Sequence, residues 1–520
     1  MGGLLAALTS ATSCSTASPD AGGAPDAGPG NTAITGSDGS DGLDAAAGGE
    51  AADGGSPAST GSADASVDGA PSPDGGAAGP TGADAAAPLQ GDGGDAASGS
   101  VAMCRTLWPQ TDWLSVYRTM MATDAQGNSY VALNYGDNRP LNDHAGAPQL
   151  NLGAPPSRFG AGFAVARLDD ACNLVWVREF GSGAADSYGA EAIAIGTDAA
   201  SDVTILGDFT GSVDFGAGTL TTPSGVANGV LLRLDANGAT VFSRQFVSPT
   251  SSTGVGTQTE EYDLAVTPGG VSTVALQADS HTDFGSGPDS ASLLLGAASN
   301  NYLVQFDATG QVLFRKTVPS IDSSVASIFN LATSASGFLW TLGTAASLVS
   351  PNVTPPQDLV MGVSASGAFA WRQDLASWPL IAAGPGGAVE GYAGGNSMTL
   401  QALAADGTSG WTTSSTIDGD VLGGRLAVGA TGEPVLVGSF RGTMSFGSAP
   451  PLASAGGQDV GYWTFDTTGH LVSMGAWGTP DDDQAGGVGV DPAGNVLIAG
   501  SSTPPGGAAT SQVFFVKLPR

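Results

Sequence analysis

Leu234-Asp235-Ala236-Asn237-Gly238, with Phe242 four residues on, is the stretch from which the rest of the chain can be read. An apolar run enters, an Asp-x-x-Gly segment supplies a tight turn, and a second apolar run leaves with an aromatic, which is a hairpin signal. The pattern recurs in Leu168-Asp169-Asp170-Ala171-Cys172 with Trp176 and in Phe306-Asp307-Ala308-Thr309-Gly310 with Phe314. Further copies are Val363-Ser364-Ala365-Ser366-Gly367 with Trp371 and Leu403-Ala404-Ala405-Asp406-Gly407 with Trp411. Phe465-Asp466-Thr467-Thr468-Gly469 has Ser473 in the aromatic place. The steps between copies are 66, 72, 57, 40 and 62 residues.

A second hairpin alternates with the first. Asp124-Ala125-Gln126-Gly127-Asn128 precedes Tyr130-Val131-Ala132-Leu133, and Asp491-Pro492-Ala493-Gly494-Asn495 precedes Val496-Leu497-Ile498-Ala499-Gly500. Weaker copies lie at 193–207, 264–276, 331–342, 381–393 and 426–438. Two hairpins in series make four strands per unit, and a period of about 60 residues predicts an all-β, seven-bladed β-propeller over 104–520. The seventh unit stops after its third strand, Val513 to Leu518. Cys104-Arg105-Thr106-Leu107-Trp108 matches Cys172-Asn173-Leu174-Val175-Trp176, so the N-terminal strand is expected to complete the last blade.

Composition divides the chain. Residues 15–100 hold 21 Gly, 22 Ala and 13 acids, and no Lys, Arg, His or aromatic residue precedes Arg105. Such a segment cannot offset chain entropy by apolar burial and reads as a disordered acidic spacer. It takes 13 of the 33 net negative charges, leaving the folded part milder. A net charge of −33 argues against nucleic-acid binding. No apolar stretch reaches the roughly 18 residues of an ordinary spanning helix.

The paired hairpins, the D-x-x-G-N turn and a Phe-Gly element after the second strand resemble bacterial SBBP-type β-propeller repeats. That resemblance implies a propeller in an extracytoplasmic setting and little about activity. Residues 1–14, with Leu4-Leu5-Ala6-Ala7-Leu8 and then Ala11-Thr12-Ser13-Cys14, resemble the end of a lipoprotein signal, which implies lipidation at Cys14. Phe306-Asp307-Ala308-Thr309-Gly310 also resembles quinoprotein propeller repeats, without their vicinal cysteines.

Several motifs have ordinary readings. Asp214-Phe215-Gly216 and Asp283-Phe284-Gly285 spell the kinase magnesium tripeptide, but Ser445-Phe446-Gly447 holds the equivalent place, so a structural repeat is expected. His144, His281 and His470 have no metal-binding spacing. No cofactor is expected. Ca²⁺ is the one ion admitted, at Asp481-Asp482-Asp483, for which a solvated loop is the preferred reading. Cys104 and Cys172 are the candidate disulfide: pairing follows from parity if Cys14 is lipidated, while equivalent positions in neighbouring blades argue against it, and both outcomes stay open.

The function expected is that of a non-catalytic, monomeric binding or scaffold module tethered to the cell envelope. Its partner would be a surface protein or glycan, with no nucleic acid, and membrane contact only through the lipid anchor. The location expected is extracytoplasmic: the outer membrane, the cell surface or the secreted space. The longest loop, 134–160, carries Asp137, Asn138, Arg139, His144 and Arg158 as the candidate contact surface. A propeller enzyme of quinoprotein or polysaccharide-acting type, and a structural envelope component without a specific ligand, are the alternatives.

Overall fold

The computed structural model describes residues 102–109, 114–137, 161–181, 189–223, 226–247, 260–278, 282–287, 300–317, 327–345, 357–375, 380–446, 449–503 and 512–520. Cys14, the 15–100 segment and most of the 134–160 loop lie outside them. The described residues contain no helix.

The strands form antiparallel sheets of consecutive elements. The first sheet is β2 (Leu114–Thr123), β3 (Ser129–Asp137), β4 (Ala161–Leu168) and β5 (Leu174–Gly181). The second is β6 (Ala190–Thr197), β7 (Val203–Phe209), β10 (Asn228–Leu234) and β11 (Thr240–Gln245), with a small hairpin of β8 (Ser212–Asp214) and β9 (Thr219–Thr221). The third is β12 (Glu260–Val266), β13 (Ser272–Ala278), β14 (Asn300–Phe306) and β15 (Val312–Thr317). The fourth is β16 (Ser327–Thr333), β17 (Leu339–Ala345), β18 (Gln357–Val363) and β19 (Phe369–Leu375). A six-stranded sheet follows: β20 (Leu380–Gly384), β21 (Gly387–Leu403), β22 (Ser409–Val428), β23 (Pro434–Met444), β24 (Leu452–Phe465) and β25 (Leu471–Trp477). The closing sheet joins β26 (Asp482–Val490), β27 (Val496–Thr503) and β28 (Gln512–Leu518) to β1 (Cys104–Pro109), in the order β26-β27-β28-β1.

The innermost strands form a ring. β2 touches β6, β6 touches β12, β12 touches β16, β16 touches β20, β20 touches β22, β22 touches β26, and β26 returns to β2. Sheets set radially around such a ring make a β-propeller, with a channel bounded by the first strands. Middle strands are covered on both faces, so β10 is buried throughout, while the outer β11 is only partly buried.

The Asp-x-x-Gly turns close by side-chain capping. Asp235 Oδ1 accepts the Asn237 and Ala239 N–H groups at 2.8 Å each, and Gly238 takes φ 76°. The ladder slips between Arg233 and Leu234, which is the bulge such a turn requires. The turn glycine also faces the next-door sheet. A Cβ on Gly238 would lie 2.9 Å from the Trp176 ring, on Gly310 2.9 Å from Phe242, and on Gly407 2.7 Å from Trp371. Gly367 lies against Phe314 and Gly469 against Trp411 in the same way. Each indole also donates to that turn's backbone: Trp176 to Ala236 O at 3.0 Å, Trp371 to Ala405 O at 2.6 Å and Trp411 to Thr467 O at 2.8 Å. The recurring aromatic is thus an inter-sheet clasp, and the glycine is its seat.

The junction that shuts the ring differs. Trp176 pairs across the ladder with Arg167, and Phe242 with Arg233. In the closing sheet the residue so paired, with Lys517, is Cys104. Cys104 therefore stands at the aromatic position, whereas Cys172, in the left-handed region at φ 64°, stands at the glycine position of the first sheet's turn. The expectation that the two cysteines hold equivalent places is corrected: they are the two halves of one clasp. The structure joins them in a disulfide with Cα atoms 6.2 Å apart. Lys517 reinforces the junction through Asp170 Oδ1 at 2.6 Å and Asp491 Oδ2 at 2.9 Å. The non-aromatic Ser473 has the matching explanation. The outer two strands of the next sheet, β28 and β1, come from opposite ends of the chain, so no turn glycine is there to cover.

Candidate functional site

The channel wall carries a repeated irregularity. The ladder shifts between Val116 and Arg118, Ala192 and Ala194, Glu261 and Asp263, Ile328 and Asn330, and Ala485 and Gly487. Each shift leaves one bulged residue in a first strand. Bulges re-aim side chains and free backbone groups, and they recur beside functional sites.

Polar side chains take up those groups. Asn134 Nδ2 donates to Ala192 O at 2.7 Å while its Oδ1 accepts the Ala192 N–H at 2.8 Å. Ser439 Oγ accepts the Ala485 N–H at 3.2 Å in the corresponding place. Arg118 Nη2 donates to the bulged Ile193 carbonyl at 2.9 Å, and Arg425 Nε donates to the bulged Gly486 carbonyl at 2.8 Å. Asp263 Oδ2 accepts the Leu331 N–H at 2.6 Å. Arg118, Asp263 and Arg425 are each the first residue after a bulge. The Arg118 charge acts on Asp208, Asp263 and Arg425, which come from three other sheets.

One bulge is larger. In β22 the ladder slips between Leu422 and Arg425, so both Gly423 and Gly424 are displaced. Beside it lies a cavity of about 300 Å³, lined by Gly423, Gly424, Arg425, Ser439, Gln458 and Gln484 among others. That volume is at the lower end for a small-ligand site. Arg425 spends Nε on Gly486 O and Nη1 on Gly424 O, each at 2.8 Å, which leaves Nη2 for a ligand. Gln484 Nε2 reaches Gln458 Oε1 at 3.5 Å, and Ser439 keeps its own hydroxyl proton. Desolvation, with the like charge of Arg118, lowers the Arg425 pKa, a guanidinium that stays charged at neutral pH all the same. The lining thus offers several donors, one fixed positive charge and amide acceptors.

Buried carboxyls set the pH response. Burial, then the facing Glu191 carboxylate, push Asp208 up to about 7 against the pull of Arg118. Burial raises Asp263 to about 7, Glu390 to about 7, Asp459 to about 6 and Asp483 to about 7. Each holds its proton more tightly folded than unfolded. Between about pH 4 and pH 7 the folded state therefore binds more protons, and stability falls as pH rises. The turn carboxylates oppose this only in acid; hydrogen bonds from Thr468 and His470 take Asp466 down to about 2. In a chelated buffer, calorimetry should give a higher Tm at pH 5 than at pH 8. A Tm that climbs steadily over that interval would contradict the assignment.

The residues singled out in the sequence scatter. Cys14, Asn138, Arg139, His144 and Arg158 lie outside the described residues, as does His281, and Asp137 is the last residue of β3. The magnesium-like tripeptides are packing elements: Phe215 and Phe284 are fully buried, while Asp214 and Asp283 cap the Gly216 and Gly285 N–H groups. His470 is exposed beside Asp466. The solvated-loop reading of Asp481-Asp482-Asp483 is corrected, since Asp482 and Asp483 open β26 and Asp483 is fully buried. Among the described residues no three or more His, Cys, Asp or Glu side chains gather to hold a metal, and no helix is long and apolar enough to cross a membrane. Arg425, Gln458, Gln484 and Ser439 were not legible as a site. The one available signal was the Gly423-Gly424 pair inside a strand, where glycine marks a bulge.

No family model and no curated protein matches the chain. Among solved structures it is similar to a protein of unknown function from Dyadobacter fermentans, at 11% identity and TM-score 0.37 over 81% of this chain and 100% of that one. The β-propeller domain of the Trilobed protease from Pyrococcus furiosus aligns at 7% identity and TM-score 0.34 over 77% and 94%. An α-L-arabinanase from Penicillium chrysogenum aligns at 10% identity and TM-score 0.37 over 81% and 98%.

Proposed function

We propose that the chain is a non-catalytic, monomeric binding module of the cell envelope whose ligand, an acidic glycan, sits in the cavity beside Arg425. The observation that carries this reading is the cavity lining. Arg425 suits a carboxylate, and Gln458, Gln484 and Ser439 suit sugar hydroxyls. None of these side chains exchanges protons near neutral pH, which favours holding over acid–base chemistry. The half-exposed Leu422 at the rim adds an apolar edge. Tethering through Cys14 and an extracytoplasmic location belong to the same reading, and the Cys104–Cys172 disulfide supports an oxidising compartment.

The same proposal counts seven blades. The ring of first strands has seven members, and β20 and β22 both belong to the six-stranded sheet. β21 folds back on itself, since a Cβ on Gly391 would meet Leu400 and one on Gly387 the Leu403 carbonyl. The long strands therefore let one sheet supply two blades.

Calorimetric titration of the full chain with uronate-containing oligosaccharides and their neutral counterparts tests the site. Binding selective for the uronates is expected, falling at least tenfold in Arg425→Gln, about the 1.4 kcal/mol or more of one charge-assisted contact. Equal binding of the neutral sugars, or an Arg425→Gln variant that binds as the parent does, would sink the assignment.

A further inference from the structure

Asp459 in β24 is 2% exposed and Asp483 in β26 is fully buried. Each carboxylate has one satisfied oxygen. Asp459 Oδ2 accepts the Ala455 N–H at 2.5 Å, and Asp483 Oδ2 accepts the Thr479 N–H at 2.6 Å and the Thr479 hydroxyl at 3.0 Å. The second oxygen of each, Oδ1, is buried with no hydrogen-bond partner. No Lys or Arg among the described residues pairs with either; the nearby Arg441 goes to Asp482 at 3.3 Å.

The two groups converge on one short link. Asp459 Oδ1 lies so close to Gly478 that any Cβ there would overlap it, while Asp483 is bonded to the next residue, Thr479. The field of Asp459 reaches Asp483. Hydroxyls complete the surroundings, with Thr479 Oγ1 and Ser502 Oγ 3.1 Å apart. A buried carboxylate with no cationic partner and one oxygen unbonded is costly for a fold to hold, and it persists where a cation neutralises it.

We propose that Asp459 and Asp483 form a calcium-class cation site that pins the Gly478–Thr479 link between β25 and β26. Two carboxylate oxygens are hard ligands of the kind Ca²⁺ takes, and hydroxyl, carbonyl and water oxygens fill the remaining places of its six to eight. Mg²⁺, with its demand for near-ideal octahedral geometry, suits such a mixed set less well. The site sits behind the cavity wall: Gln458 and Gln484, the chain neighbours of these aspartates, point to opposite strand faces and line the cavity.

The test uses the full chain, chelated and then titrated at pH 8 with Ca²⁺, Mg²⁺ and Tb³⁺. One Ca²⁺ per chain is expected, with a Tm increase of about 4 °C at a hundredfold excess over Kd. Bound Tb³⁺ should luminesce on indole excitation through Trp477, adjacent to Gly478, and Ca²⁺ should quench that signal. Asp459→Asn and Asp483→Asn should each abolish the luminescence while circular dichroism stays that of a folded β protein, and Asp481→Asn should retain it. Absence of Ca²⁺ binding by the parent would overturn the site, and so would binding retained in both Asn variants. Loss on Asp481→Asn alone would move the ion to the preceding loop and refute the assignment.

Discussion

Replacing Cys104 and Cys172 together by serine is expected to cost about 4 kcal/mol. The bridge spans 68 residues, so it removes much of the freedom of the unfolded chain. It also holds a junction where the glycine seat and the aromatic are both missing, and there the covalent bond takes their place. Deleting 104–108 should be worse, because β28 then becomes an unpaired edge and Lys517 loses the strand beside it. Urea titration with and without reductant measures the first effect, and thermal unfolding of the truncated chain measures the second. If neither moves the transition, β1 is not what closes the ring.

Trp176→Ala is expected to lose about 3–5 kcal/mol, as large aromatic truncations in cores do. Trp176 is 9% exposed, packs edge-on to Tyr130, stacks under Gly238 and donates to Ala236 O. Arg178 lies over its ring at 5.6 Å and donates to Gly238 O at 2.8 Å. Trp371 and Trp411 make the same glycine contact but are half-buried, so their truncation should cost less than that of Trp176. The converse substitution, Gly238→Ala, strains a backbone at φ 76° and drives a methyl into the indole, so it should destabilise the same junction from the other side. Chemical denaturation of the four variants checks the order. Equal losses for the three tryptophans would show that the glycine seat, and not burial, sets the energy.

The hairpins were readable because each turn is a local contract between an aspartate and its own backbone, renewed at Asp235, Asp307 and Asp466. The succession of antiparallel hairpin sheets followed from that repetition. The register at the closing strand was not readable. Cys104 and Trp108 match Cys172 and Trp176 in spacing, yet the ladder places Cys104 opposite Lys517, four residues away from that alignment. Nothing local to 104–108 specifies which residue meets Lys517, because the partner strand lies at the far end of the chain. The cavity was hidden for a related reason. Arg425, Gln458 and Gln484 come from three strands, and they line one wall together with the double slip at Gly423-Gly424. Asp483 looked solvated within an acidic triplet, but strand alternation turned it inward.

The cross-link also decides where force goes. Tension applied to the chain ahead of Cys104 reaches that residue before it can shear the β1–β28 ladder, whose pairs begin there. From Cys104 the load passes through a covalent bond to Cys172 and into the turn between β4 and β5. The ladder between β1 and β28 then carries little of the pull, and the ring stays shut until the first sheet itself gives way. In reductant the same pull would unzip β1 from Lys517 onward, one hydrogen-bonded pair at a time. A propeller held by its N-terminal side therefore has two mechanical strengths, selected by the thiol state of a single pair of residues.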